Sequence, residues 1–399
     1  MRVVEGGRDA APVKIDWRER LKELTPLIAQ SADQIERDRR LPPQLLDALH
    51  AGGWFRLLLA KPFGGAEIDP VEFVQVIEEI AKHDASTAWC LGQNSVCSMV
   101  AAFLAPEVAT AIFARDPRSV LAWGPGPGAR AVAVEGGYRV TGSFSFASGG
   151  RHATWLGAYC AVHGADGTPR PAPGGGTLGR TMLFPAEKAE MSDIWQVIGL
   201  RGTASDAYKV TDLFVPEKYS FQRDDQSERR YPGALYCLPT NAIYSCAFCC
   251  VALGLARALL DSLYALALEK TPRGYKSALR NSAAFQSELA ELEGRLRAAR
   301  MYLIGTLSEV WRAVERSNTL SLEQRVAIRL AASHSHHEAV AVGTAAYHAA
   351  GATAIFERNA FERRFRDLHT VAQQLQGRRS HFETVGRFLL GFDFDSMFL

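Results

Sequence analysis

The sequence predicts a chain in three parts, helical at both ends with a β-rich segment between. Three observations predict it. Apolar residues recur every three or four positions from Trp17 to Arg115, short β-branched and aromatic runs broken by Gly, Pro and Asp begin near Pro117, and long helical periods return from about Pro239. The expected domains are 1–116, 117–228 and 229–399. At 399 residues with 47% hydrophobic side chains, such a chain folds as two or three domains sharing an interface rather than around one core.

The first part carries the helical period in WRERLKELTPLIAQSADQIERD, PPQLLDALHAGGWFRLL and VEFVQVIEEIAKHD, with Pro42-Pro43 opening one helix and Gly52-Gly53 closing it. In the second part VLAWG, ARAVAVEGGYRVTGSFSFASG, TWLGAYCAVHG, TMLFPA and KVTDLFVP read as strands, and the Pro/Gly-rich stretch 166–179 as a surface loop between two of them. The third part holds three long helical runs and a last one through HFETVGRFLLG, lengths that suit a four-helix bundle. The terminal GFDFDSMFL carries three Phe, a Met and a Leu, too apolar for a free tail, so a docked tail is expected, with a neighbouring subunit as a candidate partner.

Charge excludes one class of partner. With 45 Lys and Arg against 43 Asp and Glu, the net charge of +2 leaves no basic footprint for nucleic acid. The N-terminus MRVVEGGRDAAPVKIDW has no apolar signal region and the later apolar runs have polar breaks, so a cytoplasmic protein with no membrane span is expected. Seven cysteines argue for reduced thiols; Cys246, Cys249 and Cys250 lie in an apolar helical run without a partner CxxC, which makes them core residues rather than metal ligands. His334, His336 and His337 lack an acidic or histidine partner at recognisable spacing, and no metal is expected. WGPGPGAR is no phosphate loop, because Pro125 and Pro127 remove the amide donors such a loop needs.

Dispersed motifs carry a resemblance. LPPQLLDALHAGGWFRLLLAKPFGGAEIDP with EEIAKHDASTAW, YRVTGSFSFASGGRHATWLGAYCAV, WQVIGLRGTASDAYKVTDLFVPE and YHAAGATAIFERNAFERRFRDLHTVAQQLQG together resemble the acyl-CoA dehydrogenase superfamily over residues 17 to 391. The resemblance implies an N-terminal helical domain, a central β-barrel and a C-terminal four-helix bundle, assembled as a homotetramer. The spelling is closer to the two-component flavin-dependent monooxygenases, whose oxygenase component takes reduced FMN or FAD from a separate flavin reductase, a transient partner, and oxidises a small organic substrate through a flavin C4a-hydroperoxide. The alternatives are an FAD-dependent acyl-CoA dehydrogenase and a catalytically inactive homologue. A dehydrogenase needs a carboxylate base. Where the family places it, this chain has Leu375-Gln376-Gly377, and NAIYSCAFCCVALGLARALL contains no acid.

The resemblance also assigns roles. His369, in RDLHT, matches a histidine near the flavin, although a buried structural histidine fits the same spacing. Ser148, in FASGG, matches a hydroxyl facing flavin N5, and a turn serine fits equally. Asn94 and Gln374 stand where relatives carry histidines; neither amide titrates near neutral pH. Trp123 is placed at the isoalloxazine edge or in the core. Arg201 and Ser205, near the closing hairpin, and Arg273 and Arg280, where relatives hold phosphate, complete the expected flavin-binding set, with Ser148 and Gln374 also in it.

Overall fold

The computed structural model describes residues 16–173, 175–396 and 399. Most of the N-terminal stretch read above, and Met397 and Phe398 of the tail, lie outside them. Helix α1 (Trp17–Asp38) starts at Asp16, whose carboxylate accepts from the amides of Arg18 and Glu19, and buries Leu21, Leu24, Ile28 and Ile35 along one stripe. Helices α2 (Pro43–Ala51) and α3 (Pro70–Ala81) begin with proline at the first turn, as a missing amide proton permits. Helix α4 (Ala85–Ser98) is capped by Asp84, which accepts from Thr87 N at 2.6 Å and Thr87 Oγ1 at 2.7 Å; every residue of α4 is buried. A short α5 (Pro106–Ala109) completes the first domain.

The central segment is one mixed sheet. Strands β1 (Leu121–Trp123), β2 (Arg130–Val134), β3 (Gly137–Ala147), β4 (Trp155–His163), β5 (Gly179–Pro185), β6 (Glu190–Ser192), β7 (Asp206–Pro216) and β8 (Ser220–Phe221) run in the order β6-β7-β3-β2-β4-β5-β8, with β1 parallel to β4. The predicted barrel is not closed. The two ends of that order, β6 and β8, are three and two residues long and pair only with β7 and β5, too little strand to seam a sheet on itself. Between the pairs Phe144↔Tyr208 and Ala147↔Asp206, β3 carries one residue more than β7, and this bulge sets Phe146 at φ 59°. A bulge re-aims the residues beyond it. Here those residues are Ser148, Gly149 and Gly150.

The C-terminal domain holds α6 (Thr240–Glu269), α7 (Ala283–Ser317), α8 (Leu322–Ala350), α9 (Ala360–Val371) and α10 (Ser380–Leu389). Helix α6 packs on α3, α4, α8 and α9. By length and hydropathy alone it would cross a bilayer, but its apolar window is 94% buried within the protein, as a core helix is. The seven cysteines are all buried and free, and burial pushes the Cys246 thiol up to about 12, so these thiols are packing groups. His336 is buried while His334 is exposed, so the histidines of that run do not share one environment. The tail docks on its own chain: Leu399 is buried with Val326 and Val385, and Arg325 donates to the carbonyls of Ser396 and Leu399.

Candidate functional site

The helical first domain and the sheet meet at Ser148, with α6 packed behind Trp89. The β3 bulge carries it inward to 5% exposure, and Gly149 (φ 75°) completes the turn, its amide donating to Thr203 O. A Cβ on Gly149 would lie 2.5 Å from Asn94 Oδ1 and 2.8 Å from His152 Nε2, so glycine is required by space as well as by φ.

Ser148 sits in an unbroken hydrogen-bond chain. Trp89 Nε1 donates to Ser148 Oγ at 2.9 Å, Ser148 Oγ lies 2.7 Å from Ser205 Oγ, Ser205 Oγ lies 2.7 Å from Thr203 Oγ1, and Thr203 Oγ1 donates to Leu200 O at 2.9 Å. The indole can only donate, the carbonyl can only accept, and each hydroxyl owns one hydrogen. Four bonds and four hydrogens leave one solution: Trp89 to Ser148, Ser148 to Ser205, Ser205 to Thr203, Thr203 to Leu200. Ser148 has therefore spent its proton and keeps a lone pair for a ligand. It can accept from an N–H and cannot donate without breaking the chain.

Asn94, expected as a reacting or binding group, is a strut. Its Nδ2 donates to Leu121 O at 3.2 Å and to Ser148 O at 3.3 Å, tying the end of β1 to the bulged turn. Its Oδ1 faces His152 Nε2 at 3.1 Å, so that nitrogen carries the proton; burial lowers the imidazole to about 3 and keeps it neutral. The Asn94 amide and the His152 Nε2–H are thereby committed inside the protein.

An aromatic wall leads away from Ser148. Trp89 stacks on Phe248 of α6 with centroids 3.8 Å apart and planes 5° from parallel, and Phe248 stacks on Tyr244 at 5.5 Å. Tyr244 Oη meets Cys97 Sγ at 3.3 Å, Gln93 Nε2 reaches Cys97 Sγ at 3.6 Å and Trp123 O at 3.5 Å, and Arg223 lies over the Trp123 ring. Trp123 is 8% exposed and packs over Gly157, where a Cβ would come within 2.8 Å of the ring. Trp123 is a packed core residue whose face holds a cation.

The hairpin that carries Thr203 and Ser205 is held by α9. Asp367 accepts from Leu200 N at 2.6 Å, and Arg366 donates to Ile198 O and to Glu36 of α1. Asp367 is buried, and desolvation, opposed by the Leu200 amide, raises its carboxyl to about 7.

Two models of one family account for more than half of the sequence: that of the acyl-CoA dehydrogenase N-terminal domain matches residues 21–112 and that of the acyl-CoA dehydrogenase C-terminal domain residues 246–377. The chain belongs to the acyl-CoA dehydrogenase family. Its relatives in that family include the indole-3-acetate monooxygenase of Pseudomonas putida, 28% identical over 85% of each chain. The oxygenase subunit of a flavin-dependent monooxygenase from Rhodococcus jostii is 26% identical over 88% of this chain and 92% of its own. Among solved structures, XiaF of a Streptomyces species in complex with FADH2 and glycerol shares the fold with a TM-score of 0.87 at 24% identity, over 94% of this chain and 95% of the other.

Within this family fold the remaining expected residues scatter. Ser205 joins Ser148 directly. Arg201, on the same hairpin, pairs with Glu36 at 3.6 Å, and its Nε is buried without a partner. His369 is on the other side of α9 from the hairpin: its Nε2 lies 3.2 Å from Thr344 Oγ1 of α8 and its ring 4.3 Å from that of Phe365. Burial lowers its pKa. Gln374 caps the short turn that follows, accepting from Gln376 N. Arg273 and Arg280 are exposed on the loop between α6 and α7, away from the hydroxyl chain in sequence and exposure.

Sequence reasoning missed Trp89, Phe248, Tyr244, Thr203, His152 and Arg223. Two signals were available: the hydroxyl spacing Thr203-x-Ser205, and Tyr244 with Phe248 at i and i+4 in the apolar first half of the helix. The other contacts cross domains and leave no local period.

Proposed function

We propose that this chain is the oxygenase component of a two-component flavin-dependent monooxygenase, which takes reduced FMN or FAD from a separate reductase and uses O2 to hydroxylate or oxidise a small organic substrate. Reduced flavin supplies the electrons that activate oxygen. The residues fit such a group: Ser148 offers an acceptor, Arg201 a buried guanidinium nitrogen without a partner, and Phe146 and Ile198, 59% and 66% exposed, offer apolar surface beside the hairpin. Arg273 and Arg280 would meet the phosphate end, Gln374 the C-terminal edge, and His369 would serve as the neutral imidazole of the site. Association as a homotetramer, a C-terminal four-helix bundle of α6, α7, α8 and α10, and a cytoplasmic location complete the reading.

The observation that carries it is the direction of the hydroxyl chain. N3–H donates in both redox states, but at N5, the atom that the resemblance sets against Ser148, oxidised flavin presents an unprotonated nitrogen, which accepts, and reduced flavin an N–H, which donates. A serine left with only a lone pair favours the reduced form. No carboxylate takes part in the hydroxyl chain or the aromatic wall, and Gln376 in the segment where a dehydrogenase keeps its base is occupied by Arg329, which donates to its side-chain oxygen at 2.9 Å.

Anaerobic titrations with oxidised and reduced FMN and FAD test this. The wild type binds the reduced form more tightly. Ser205→Ala frees the Ser148 proton to donate, and narrows the preference by about 3- to 10-fold, the worth of one net hydrogen bond; Ser205→Thr retains it. Tight oxidised FAD that bleaches with acyl-CoA would establish a dehydrogenase instead, and no flavin binding in either state an inactive homologue.

A further inference from the structure

The cation at the far end of the aromatic wall is positioned without a carboxylate. Arg223 follows β8 on the loop that leads to α6, and its guanidinium carbon lies 5.5 Å from the Trp123 centroid and 5.9 Å from that of Tyr159. The two rings share one sheet face, because Trp123 pairs with Gly157 and Tyr159 follows two residues later on β4. Trp123 is buried and Tyr159 is 51% exposed, so Arg223 stands at the mouth of the wall.

Each acidic residue of that loop is committed elsewhere. Asp224 accepts from Thr240 N and Thr240 Oγ1, both at 2.9 Å, and so caps α6. Asp225 accepts from Ser227 N and Oγ. Glu228 accepts from Arg180 at 2.8 Å and from Gln222 N at 3.0 Å. The backbone around Arg223 is thereby pinned on both sides: Asp224, at φ 65°, turns the chain into the α6 cap, and Gln222 is fastened to Glu228. What Arg223 itself touches is ring faces.

A guanidinium on aromatic faces keeps its in-plane N–H groups directed outward, and those groups match a carboxylate bidentately. Its charge reaches the deeper end of the wall as well, where it opposes the burial that raises the Cys97 thiol to about 12 and, against both burial and the Asp224 carboxylate, leaves Tyr244 protonated. An aromatic substrate lying along Trp89, Phe248 and Tyr244 with an anionic group toward the mouth would meet one cation there.

We infer that Arg223 is a specificity-determining residue that receives the carboxylate of an aromatic acid substrate, its ring against the Trp89–Phe248–Tyr244 wall. This rests on the monooxygenase reading of the site and narrows its substrate class. The loop geometry is what makes Arg223 available: were Asp225 or Glu228 to turn toward it, the cation would be neutralised internally.

The test is equilibrium binding of two acid–amide pairs, 4-hydroxyphenylacetate with 4-hydroxyphenylacetamide and indole-3-acetate with indole-3-acetamide, to protein loaded anaerobically with reduced flavin. In the wild type at least one acid binds more tightly than its amide. Arg223→Gln weakens that acid by about 10- to 100-fold, as loss of a charge-assisted contact does, and leaves the amide within about 2-fold; Arg223→Lys recovers part of the loss. Equal weakening of acid and amide would reduce Arg223 to a structural role and overturn the proposal, as would a wild type that binds amides as well as acids or binds neither pair. Failure of the monooxygenase reading is read separately, as a wild type that does not bind reduced flavin or consume O2 with it.

Discussion

Asp367→Asn is expected to stabilise the protein at pH 8 by roughly 4 kcal/mol relative to its effect at pH 4. In the folded protein the carboxyl is raised from an ordinary 3.8 to about 7, chiefly by burial. Between those values the folded state holds a proton that the unfolded state has released. Stability from this group is therefore complete below pH 4 and is lost as pH rises towards 7, at about 1.4 kcal/mol per unit. Above pH 7 the folded protein carries a buried anion answered mainly by one backbone amide. Asparagine cannot ionise, yet its Oδ1 still accepts from Leu200 N, so the hairpin stays anchored while the pH penalty disappears. Thermal melts of both proteins at pH 4 and pH 8 check this: the Tm of the variant exceeds that of the parent at pH 8 by several degrees and converges on it at pH 4. A difference independent of pH would mean that Asp367 acts through shape alone. Asp367→Leu, which removes the acceptor, is destabilising at both values.

The α-β-α order was legible because each part follows a local rule. The period of WRERLKELTPLIAQ is that of α1, the alternation and turn residues of GYRVTGSFSFA are those of β3, and the long apolar run from Thr240 became the buried α6. Closure of the sheet was not legible, since it depends on whether β6 and β8 are long enough to meet. Of the residues expected at the site, Ser148 and Ser205 lie together, their hydroxyls 2.7 Å apart. The chain that orients them was not legible, because Trp89, Thr203 and Leu200 meet only once α4 is laid against the hairpin. His369 and Asn94 show the converse. Both were expected at the site, but a sequence carries no account of what a side chain has already bonded, and His369 faces Thr344 while the Asn94 amide is spent on two carbonyls.

The contact between the first and last domains makes a second large prediction. Glu78 of α3 is 5% exposed, and Arg300 of α7 donates from Nε to both of its carboxylate oxygens, at 2.8 and 2.9 Å. The two partners are unequal: Arg300 keeps 37% of its side chain in solvent, so it loses little hydration in making the pair, whereas Glu78 has given up nearly all of its own. Arg300→Met should then cost about 3 kcal/mol, because a carboxylate is left in a low-dielectric seam without its cation. Glu78→Met should cost less, since the released guanidinium turns to water. The double variant, Met against Met, places apolar atoms of similar length across the seam and should recover most of the loss. Denaturant melts of the four proteins give the coupling directly. If Arg300→Met alone shifts stability by less than about 1 kcal/mol, the pair behaves as an exposed ion pair and the α3–α7 seam is held by its apolar contacts. A large single effect with recovery in the double means instead that the charge fixes which residues of α3 and α7 face each other. The docking of the helical first domain on the C-terminal helices, and with it the alignment of α4 beneath Ser148, is then set in part by one buried carboxylate.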